Sequence, residues 1–149
     1  MSDITTVILA AGNSTRFKAS KSKLVYPLCG LPIVSHIFNI AKKISGKNIL
    51  VVSNEKNKEE LKLILNTSKL VVQKKQKGTA DAIEQVKKYV KSKNILILFG
   101  DTPLVEVKDI RKLVSKFKKS KAKASLIAFN TLEPHGYGCL LYTSDAADD

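Results

Sequence analysis

Five short apolar runs, rich in β-branched residues, alternate along this chain with segments whose apolar residues recur at helical spacing. The runs span residues 7–9, 48–52, 70–73, 94–99 and 124–129, and helices are expected within 33–44, 54–65, 79–90 and around 110–117. Runs with little polar alternation are typical of strands that are buried on both faces of a parallel sheet. Strands that alternate with helices predict βαβ units. The sequence therefore predicts an α/β fold, with a Rossmann-like, mainly parallel sheet and helices on both faces.

The length and the termini restrict the class of protein. A chain of 149 residues is long enough for one domain and too short for two comfortable ones. No apolar run approaches the roughly 18–20 residues that span a bilayer, and residues 1–3 lack the basic and apolar regions of a signal peptide. We therefore expect a cytoplasmic protein without a membrane partner. Cys29 and Cys139 have no metal-binding or redox spacing and are expected to be free thiols.

The formal net charge of +13 raises the question of a nucleic-acid partner. The basic residues are 24 Lys and 2 Arg, whereas the forked contacts that read bases and phosphates favour Arg. The lysines are spread along the chain with few aromatic residues among them to stack on bases. We expect a solvated, lysine-rich surface without a specific nucleic-acid partner, and a general attraction for anionic substrates stays open.

The stretch 6–23 follows the first predicted strand and combines very small side chains with positive charge. Leu9 is followed by Ala10, Ala11 and Gly12, so a ligand could lie directly against this backbone. Gly12 can adopt a positive φ, which would turn the chain sharply and aim successive N–H groups at an anion. Open α/β sheets bind ligands at this edge, beyond the carboxyl ends of their strands. These features predict a loop that binds phosphate.

Two cationic residues after this loop, Arg16 and Lys23, would add positive charge beside it. The loop is not a Walker A loop, because no Gly-Lys pair follows Gly12, and it is not a Rossmann fingerprint, because position 14 is Ser. The residues alone leave a second interpretation open, namely an ordinary turn between a strand and a helix with a basic rim.

A carboxylate, Asp101, comes directly after the predicted strand 94–99 and Gly100. It would therefore lie at the same edge of the sheet as the first loop. Mg²⁺ prefers oxygen ligands and is usually held by one or two carboxylates together with the phosphates of a substrate. The residues alone leave two interpretations open: a magnesium site, or a carboxylate that only caps the turn before Pro103.

A third candidate site combines Gln73 with the pair Gly78-Thr79. A Gln side chain offers a donor and an acceptor, as reading the edge of a base requires, and Gly78 would let the base approach the backbone. The alternative is an exposed Gln followed by an ordinary helix start, with Thr79 as the N-cap and Asp81 in the first turn. A fourth stretch, 133–138, reads E-P-H-G-Y-G.

These stretches resemble, in the same order along the chain, the motifs of the sugar-nucleotide pyrophosphorylases of the NTP-transferase superfamily. Residues 9–17 read L-A-A-G-N-S-T-R-F and are similar to the family's L-A-[AG]-G-x-[GS]-T-R-[MLF], with Lys23 at its lysine position. Residues 72–80, 99–104 and 133–138 are similar to V-x-Q-x-x-x-x-G-T-A, [YF]-G-D-x-P-L and D-P-x-G-Y-G. The four motifs are most similar to those of the bacterial UDP-N-acetylglucosamine branch.

Two positions depart from the family pattern. Ser14 stands where Gly is commonest, and Ser22 replaces the Pro that usually precedes the lysine. Ser14 is small enough for the loop, whereas Ser22 leaves the approach to Lys23 less rigid, since Pro would have fixed φ there.

The resemblance implies a nucleotidyltransferase that joins UTP and N-acetylglucosamine 1-phosphate, releases pyrophosphate and uses Mg²⁺. Arg16 and Lys23 would neutralise the phosphates during catalysis, and Asp101 would bind the metal. The implied nucleotide- and substrate-binding residues are Leu9, Ala10, Ala11, Gly12, Lys23, Gln73, Gly78, Thr79, Phe99, Gly100, Asp101 and Gly138. Two other functions stay open: an NTP transferase with another base or acceptor, and a nucleotide- or RNA-binding module without catalysis.

The last eleven residues, 139–149, differ from the rest of the chain and contain no lysine. After Gly138 the family continues with Arg and a strand, whereas this chain does not. We therefore expect residues 1–138 to be the N-terminal part of a nucleotidyltransferase domain, and residues 139–149 to be a foreign or truncation-derived tail. The resemblance also implies a longer parent protein, a homotrimer through an acetyltransferase half that this chain lacks.

Overall fold

The computed structural model describes residues 3–13, 17, 21–66, 69–133 and 135. In this part of the chain six strands and four α-helices follow one another. They are β1 (Ile4–Leu9), β2 (Pro27–Leu28), β3 (Leu31–Pro32), α1 (Ile33–Ser45), β4 (Ile49–Ser53), α2 (Lys58–Ile64), β5 (Lys69–Val72), α3 (Thr79–Val86), β6 (Asn94–Phe99) and α4 (Val107–Lys119). Short 3₁₀ turns span Lys23–Val25 and Lys87–Tyr89.

The main sheet has four parallel strands in the order β5-β4-β1-β6. The chain starts in the middle at β1, moves outward to β4 and β5, and then returns to the other side of β1 as β6. The direction of winding therefore changes between β1 and β6. In open α/β sheets ligands bind at such a point, outside the carboxyl ends of the strands.

Helices cover both faces of this sheet, which confirms the predicted fold class. Ile8 and Val51 lie in one apolar cluster with residues of α1, α2 and α4. Val7 and Val52 lie in a second cluster with Ala82 of α3. Successive side chains of a strand point to opposite faces, so β1 and β4 need apolar residues at consecutive positions. This requirement explains why their sequences lack polar alternation.

Some local predictions are wrong in detail. Between the first loop and α1 the chain forms the 3₁₀ turn and then the hairpin of β2 and β3. Cys29 and Gly30 make the turn of that hairpin with φ of 48° and 81°. Thr79 was predicted as an N-cap, but Gly78 holds that position and Thr79 is the first residue of α3.

The predicted strand at residues 124–129 does not form. Residues 121–133 contain no helix or strand, and every one of them is exposed, including Leu126 and Ile127. A β-forming sequence becomes a strand only where a neighbouring strand offers hydrogen-bond partners and a packed face. Among the described residues the sheet ends at β6, so this segment has no strand beside it.

Two further expectations concern the membrane and the thiols. No described helix is long and apolar enough to cross a bilayer. Cys29 is an exposed free thiol, as predicted, and Cys139 lies outside the described residues.

Candidate functional site

A cleft of about 280 Å³ opens at the carboxyl edge of the sheet. The ends of β1 and β6, the loop after β5 and the start of α3 surround it. Ten predicted site residues line it: Leu9, Ala10, Ala11, Gly12, Lys23, Gln73, Gly78, Thr79, Phe99 and Asp101. Arg16 and Gly138 lie outside the described residues. Sites predicted separately from three stretches of sequence therefore share one cavity.

Gly100, also predicted to bind the nucleotide, does not line this cleft. Its N–H donates to the carbonyl oxygen of Leu9 at 2.9 Å. A Cβ at this position would lie 3.2 Å from the same oxygen and 3.6 Å from Leu24 Cδ2. A side chain here would therefore be crowded, because β1 and β6 pack closely at their carboxyl ends.

Two buried asparagines that directly follow β4 hold the loop after β1. Asn57 Nδ2 donates to Ala10 O at 2.7 Å, and Asn54 Nδ2 donates to Ala11 O at 3.0 Å. Each asparagine also accepts the backbone N–H of the other at its own Oδ1, at 2.9 and 3.0 Å. The two side chains thus donate hydrogen bonds to carbonyl oxygens of the loop, and they fix its backbone where it lines the cleft.

Neither asparagine was predicted as part of the site. The available signal was the position of the pair, since two amides three residues apart directly follow a buried strand. Both are buried, at 4% and 2% exposure, and a buried amide needs hydrogen-bond partners. The pattern could have predicted that these residues bind backbone, although not which loop they bind.

The expected conformation of Gly12 is wrong. Among the described glycines only Gly30, Gly46 and Gly78 have a positive φ. A Cβ on Gly12 would meet nothing within 4 Å. The protein's own backbone therefore does not require glycine at this position, whose small size leaves room in the cleft instead.

Gln73 lies at the floor of the site and is only 3% exposed, so the alternative of an exposed glutamine is wrong. Its backbone N–H donates to Ser53 O at 2.8 Å, which continues the pairing of β4 and β5 by one residue. Its side-chain Nε2 donates to Asp81 Oδ2 at 2.6 Å and to Gly78 O at 3.2 Å. Gln73 thereby ties the end of β5 to the first turn of α3.

Gly78 has a backbone conformation that favours glycine strongly, with φ 105° and ψ −178°. This region is essentially restricted to glycine, so we expect Gly78→Ala to destabilise the fold by about 1–3 kcal/mol. The measurement is urea unfolding followed by circular dichroism. Gly12→Ala is the matched control, and should change stability by less than about 0.5 kcal/mol. Equal stability of the two variants would contradict this assignment.

Lys23 and Asp101 form an ion pair within the cleft, with Nζ 2.6 Å from Oδ2. Ser22 precedes the lysine with φ −60°, the value that Pro would impose, and its Oγ accepts the N–H of Leu24 at 3.4 Å. The 3₁₀ turn, capped by Ser22, thus fixes the backbone before Lys23 as the proline of the family pattern would. The two side chains are 37% and 41% exposed, and such exposed pairs contribute little to stability. An incoming anion or metal could therefore separate them at low cost.

The cleft fits a metal that is held by few protein ligands. In the part of the chain that the structure describes, no three His, Cys, Asp or Glu side chains gather as a metal site. Asp101 is the only carboxylate among the cleft-lining residues described. Mg²⁺ commonly binds in this way, with one or two carboxylates, several waters and the phosphates of a substrate.

Three lining residues were not predicted: Leu24, Gln76 and Ala82. Gln76 Oε1 accepts a hydrogen bond from Asn13 Nδ2 at 3.1 Å. This bond joins the loop after β1 to the loop after β5, two of the walls of the cleft. Both residues are exposed, and their separation in sequence left no signal of the contact.

The solved structures that share this fold include nucleotidyltransferases. A putative glucose-1-phosphate thymidylyltransferase from Bacillus anthracis aligns with a TM-score of 0.72 at 21% identity, covering 79% of this chain and 51% of that one. A manganese complex of Rv0371c from Mycobacterium tuberculosis aligns with a TM-score of 0.62 at 19% identity, covering 79% and 61%. At these identities the likeness shows the fold.

The sequence itself matches curated relatives more closely. It is 41% identical over 138 residues to the bifunctional protein GlmU of Buchnera aphidicola subsp. Schizaphis graminum, and the match covers 91% of this chain. The chain spans about 30% of the length of that relative. The family described as "MobA-like NTP transferase domain" matches residues 6–148, almost the whole chain. This chain belongs to the family of MobA-like NTP transferase domains.

Proposed function

We propose that the cleft binds UTP with a divalent metal, and that the domain transfers the uridylyl group to N-acetylglucosamine 1-phosphate. The observation that carries this proposal is the pairing of Lys23 with Asp101 at the point where the winding of the sheet reverses. A cation for phosphate and a carboxylate for metal thus lie in the same cleft as Gln73. The relatives named GlmU support the choice of UTP and of the sugar phosphate.

The reaction needs positioning and charge neutralisation more than covalent catalysis. A phosphate oxygen of the sugar phosphate attacks the α-phosphorus of UTP, and the bond from that phosphorus to the bridging oxygen breaks. Pyrophosphate leaves with the electron pair, and UDP-N-acetylglucosamine remains. Negative charge on the phosphate oxygens must be offset during this step. Lys23 Nζ supplies one positive charge, and Arg16 is assigned a second on the sequence motif alone.

Asp101 would hold the metal, which we propose to be Mg²⁺. When bound, the ion supplies further positive charge to the phosphate oxygens. Separation of the ion pair would leave the Asp101 carboxylate free for the metal and Lys23 free for the phosphates. The manganese complex of the distant structural relative supports the use of a divalent metal by this fold.

The base and the sugar are assigned to different parts of the cleft. Gln73, Gly78 and Thr79 would contact the uracil, while Leu9 to Gly12 and Phe99 would border the nucleotide. Gly138 would approach the sugar, as the resemblance implies.

Four expectations from the sequence stay predictions. They are the boundary at residue 138, the foreign or truncation-derived tail, the cytoplasmic location, and a trimeric parent with an acetyltransferase half.

The test of this proposal is calorimetric titration of the chain with UTP, with and without Mg²⁺. We expect saturable binding that Mg²⁺ strengthens and that depends only weakly on salt. A single-stranded oligonucleotide of matched charge is the comparison. Preferential binding of the oligonucleotide, with a steep loss of affinity in salt and no effect of Mg²⁺, would contradict the proposal and indicate a nucleic-acid-binding module.

A further inference from the structure

The side-chain amide of Gln73 has only one orientation that its neighbours permit. Both of its near neighbours, Asp81 Oδ2 at 2.6 Å and the carbonyl oxygen of Gly78 at 3.2 Å, are acceptors. A flipped amide would place Oε1 against two oxygen atoms, because an ionised carboxylate and a carbonyl can only accept. The nitrogen of Gln73 therefore faces α3, and both of its protons have partners.

Asp81 is itself held in place from a second side. Gln85, one turn later on α3, directs its Nε2 toward Asp81 Oδ1 at 3.5 Å. The carboxylate thus lies between two amide nitrogens. In both contacts the carboxylate accepts and the amide donates, because an ionised carboxylate has no proton to give. An asparagine at this position could either accept or donate, so it would hold the amide of Gln73 in this orientation only part of the time.

The oxygen of Gln73 is left for a ligand. The residue lines the cleft and is 3% exposed, and the described part of the chain supplies no donor to its Oε1. Uracil carries an N–H at ring position N3, which can donate to such an oxygen. Cytosine has a bare nitrogen there, and in the same ring position its lone pair would face the lone pairs of Oε1.

We infer that Asp81 is a positioning residue that fixes the Gln73 amide with its oxygen toward the base, so that the site selects a pyrimidine with an N–H at N3. The inference rests on the proposed function, since it requires that the cleft binds a nucleotide through this wall. It extends that function to a residue that touches Gln73 and does not itself line the cleft.

The test compares UTP with CTP, which share the triphosphate, the ribose and the ring size. We expect the wild-type chain to prefer UTP, and Asp81→Ala to reduce the ratio of UTP to CTP affinity by about 10-fold, the worth of one hydrogen bond to an ionised partner. Asp81→Asn should give an intermediate ratio. Glu84→Ala, which removes an exposed acid from the same helix, is the matched control and should leave the ratio unchanged.

A double variant separates positioning from general destabilisation. If Asp81 acts through the amide, Asp81→Ala should not change the UTP to CTP ratio further in a chain that already carries Gln73→Ala. An equal fall of both affinities, with the ratio unchanged, would overturn the inference and leave the proposed function standing. A wild-type chain that binds neither nucleotide would contradict the proposed function, and the selection with it.

A second measurement needs no nucleotide. In the ¹⁵N–¹H spectrum we expect the side-chain NH₂ protons of Gln73 to exchange slowly with water in the wild type. Asp81→Ala removes the partner of one proton and should accelerate its exchange, whereas Glu84→Ala should not. Unchanged exchange in Asp81→Ala would show that the carboxylate does not hold the amide, and would overturn the inference independently of binding.

Discussion

Replacement of Lys23 by alanine is expected to weaken UTP binding by about 10- to 100-fold, the usual worth of a charge-assisted hydrogen bond to phosphate. The variant loses the one described lysine that lines the cleft. It also frees Asp101, whose carboxylate would repel the triphosphate unless a metal is bound. The loss should therefore be larger without Mg²⁺ than with it. Calorimetric titration in both conditions measures the difference.

Asp101→Asn should show the opposite dependence on metal. Without the carboxylate, Lys23 has no acidic partner in the cleft, so metal-free UTP should bind more tightly than it does to the wild type. The strengthening by Mg²⁺ should disappear at the same time, because the proposed protein ligand is gone. The comparison of the two variants thus tests phosphate binding by Lys23 and metal binding by Asp101 separately.

Controls for this pair come from α4, away from the cleft. Lys112→Ala removes an exposed lysine and Asp109→Asn neutralises an exposed acid, so each reproduces the change in net charge alone. Both should bind UTP as the wild type does. Near-normal binding by Lys23→Ala, or a full response to Mg²⁺ in Asp101→Asn, would refute the corresponding assignment.

Asn57→Ala is expected to be the most destabilising change at the site. The side chain is 2% exposed and serves two backbone groups, the carbonyl of Ala10 and the N–H of Asn54. Alanine leaves both groups buried without that partner, and unsatisfied groups of this kind cost about 1–3 kcal/mol each. We expect a loss of about 2–4 kcal/mol, measured by urea unfolding.

Asn39→Ala is the matched control for this prediction, since Asn39 is exposed on α1. It should change the free energy of unfolding by no more than about 0.5 kcal/mol. A similarly small effect of Asn57→Ala would mean that water replaces its hydrogen bonds, and that the asparagine pair does not support the loop after β1.

The local pattern of the sequence was sufficient for the sheet and for the edge at which the cleft lies. Strands such as β1 and β4 are buried on both faces, so their apolar runs are unambiguous. Parallel strands also have their carboxyl ends at one edge, so residues that directly follow β1, β5 and β6 had to meet there. This geometric rule is why Asp101 could be assigned to the same edge as Ala10 before any contact was known, whereas Gln73 was predicted as a separate site.

The segment 124–129 shows where local pattern is insufficient. Its composition is that of a strand, yet it is exposed and irregular. Strand formation depends on a neighbour with free backbone groups, and the presence of that neighbour is not a property of the segment. The same limit applies to Gly12, whose carbonyl oxygen accepts a hydrogen bond from Asn54 Nδ2 at 3.4 Å across 42 positions of sequence.

The sequence by itself determined the α/β class and the edge that carries the cleft, because these depend on periodicity and on residues adjacent in the chain. Its motifs, through their resemblance to a known family, also indicated most of the residues that line the cleft. Only the tertiary structure decided which groups pair within that cleft. Lys23 lies 78 positions from Asp101, and Asn57 lies 47 positions from Ala10. Such contacts form between side chains that the packed sheet brings together, and no local pattern specifies them.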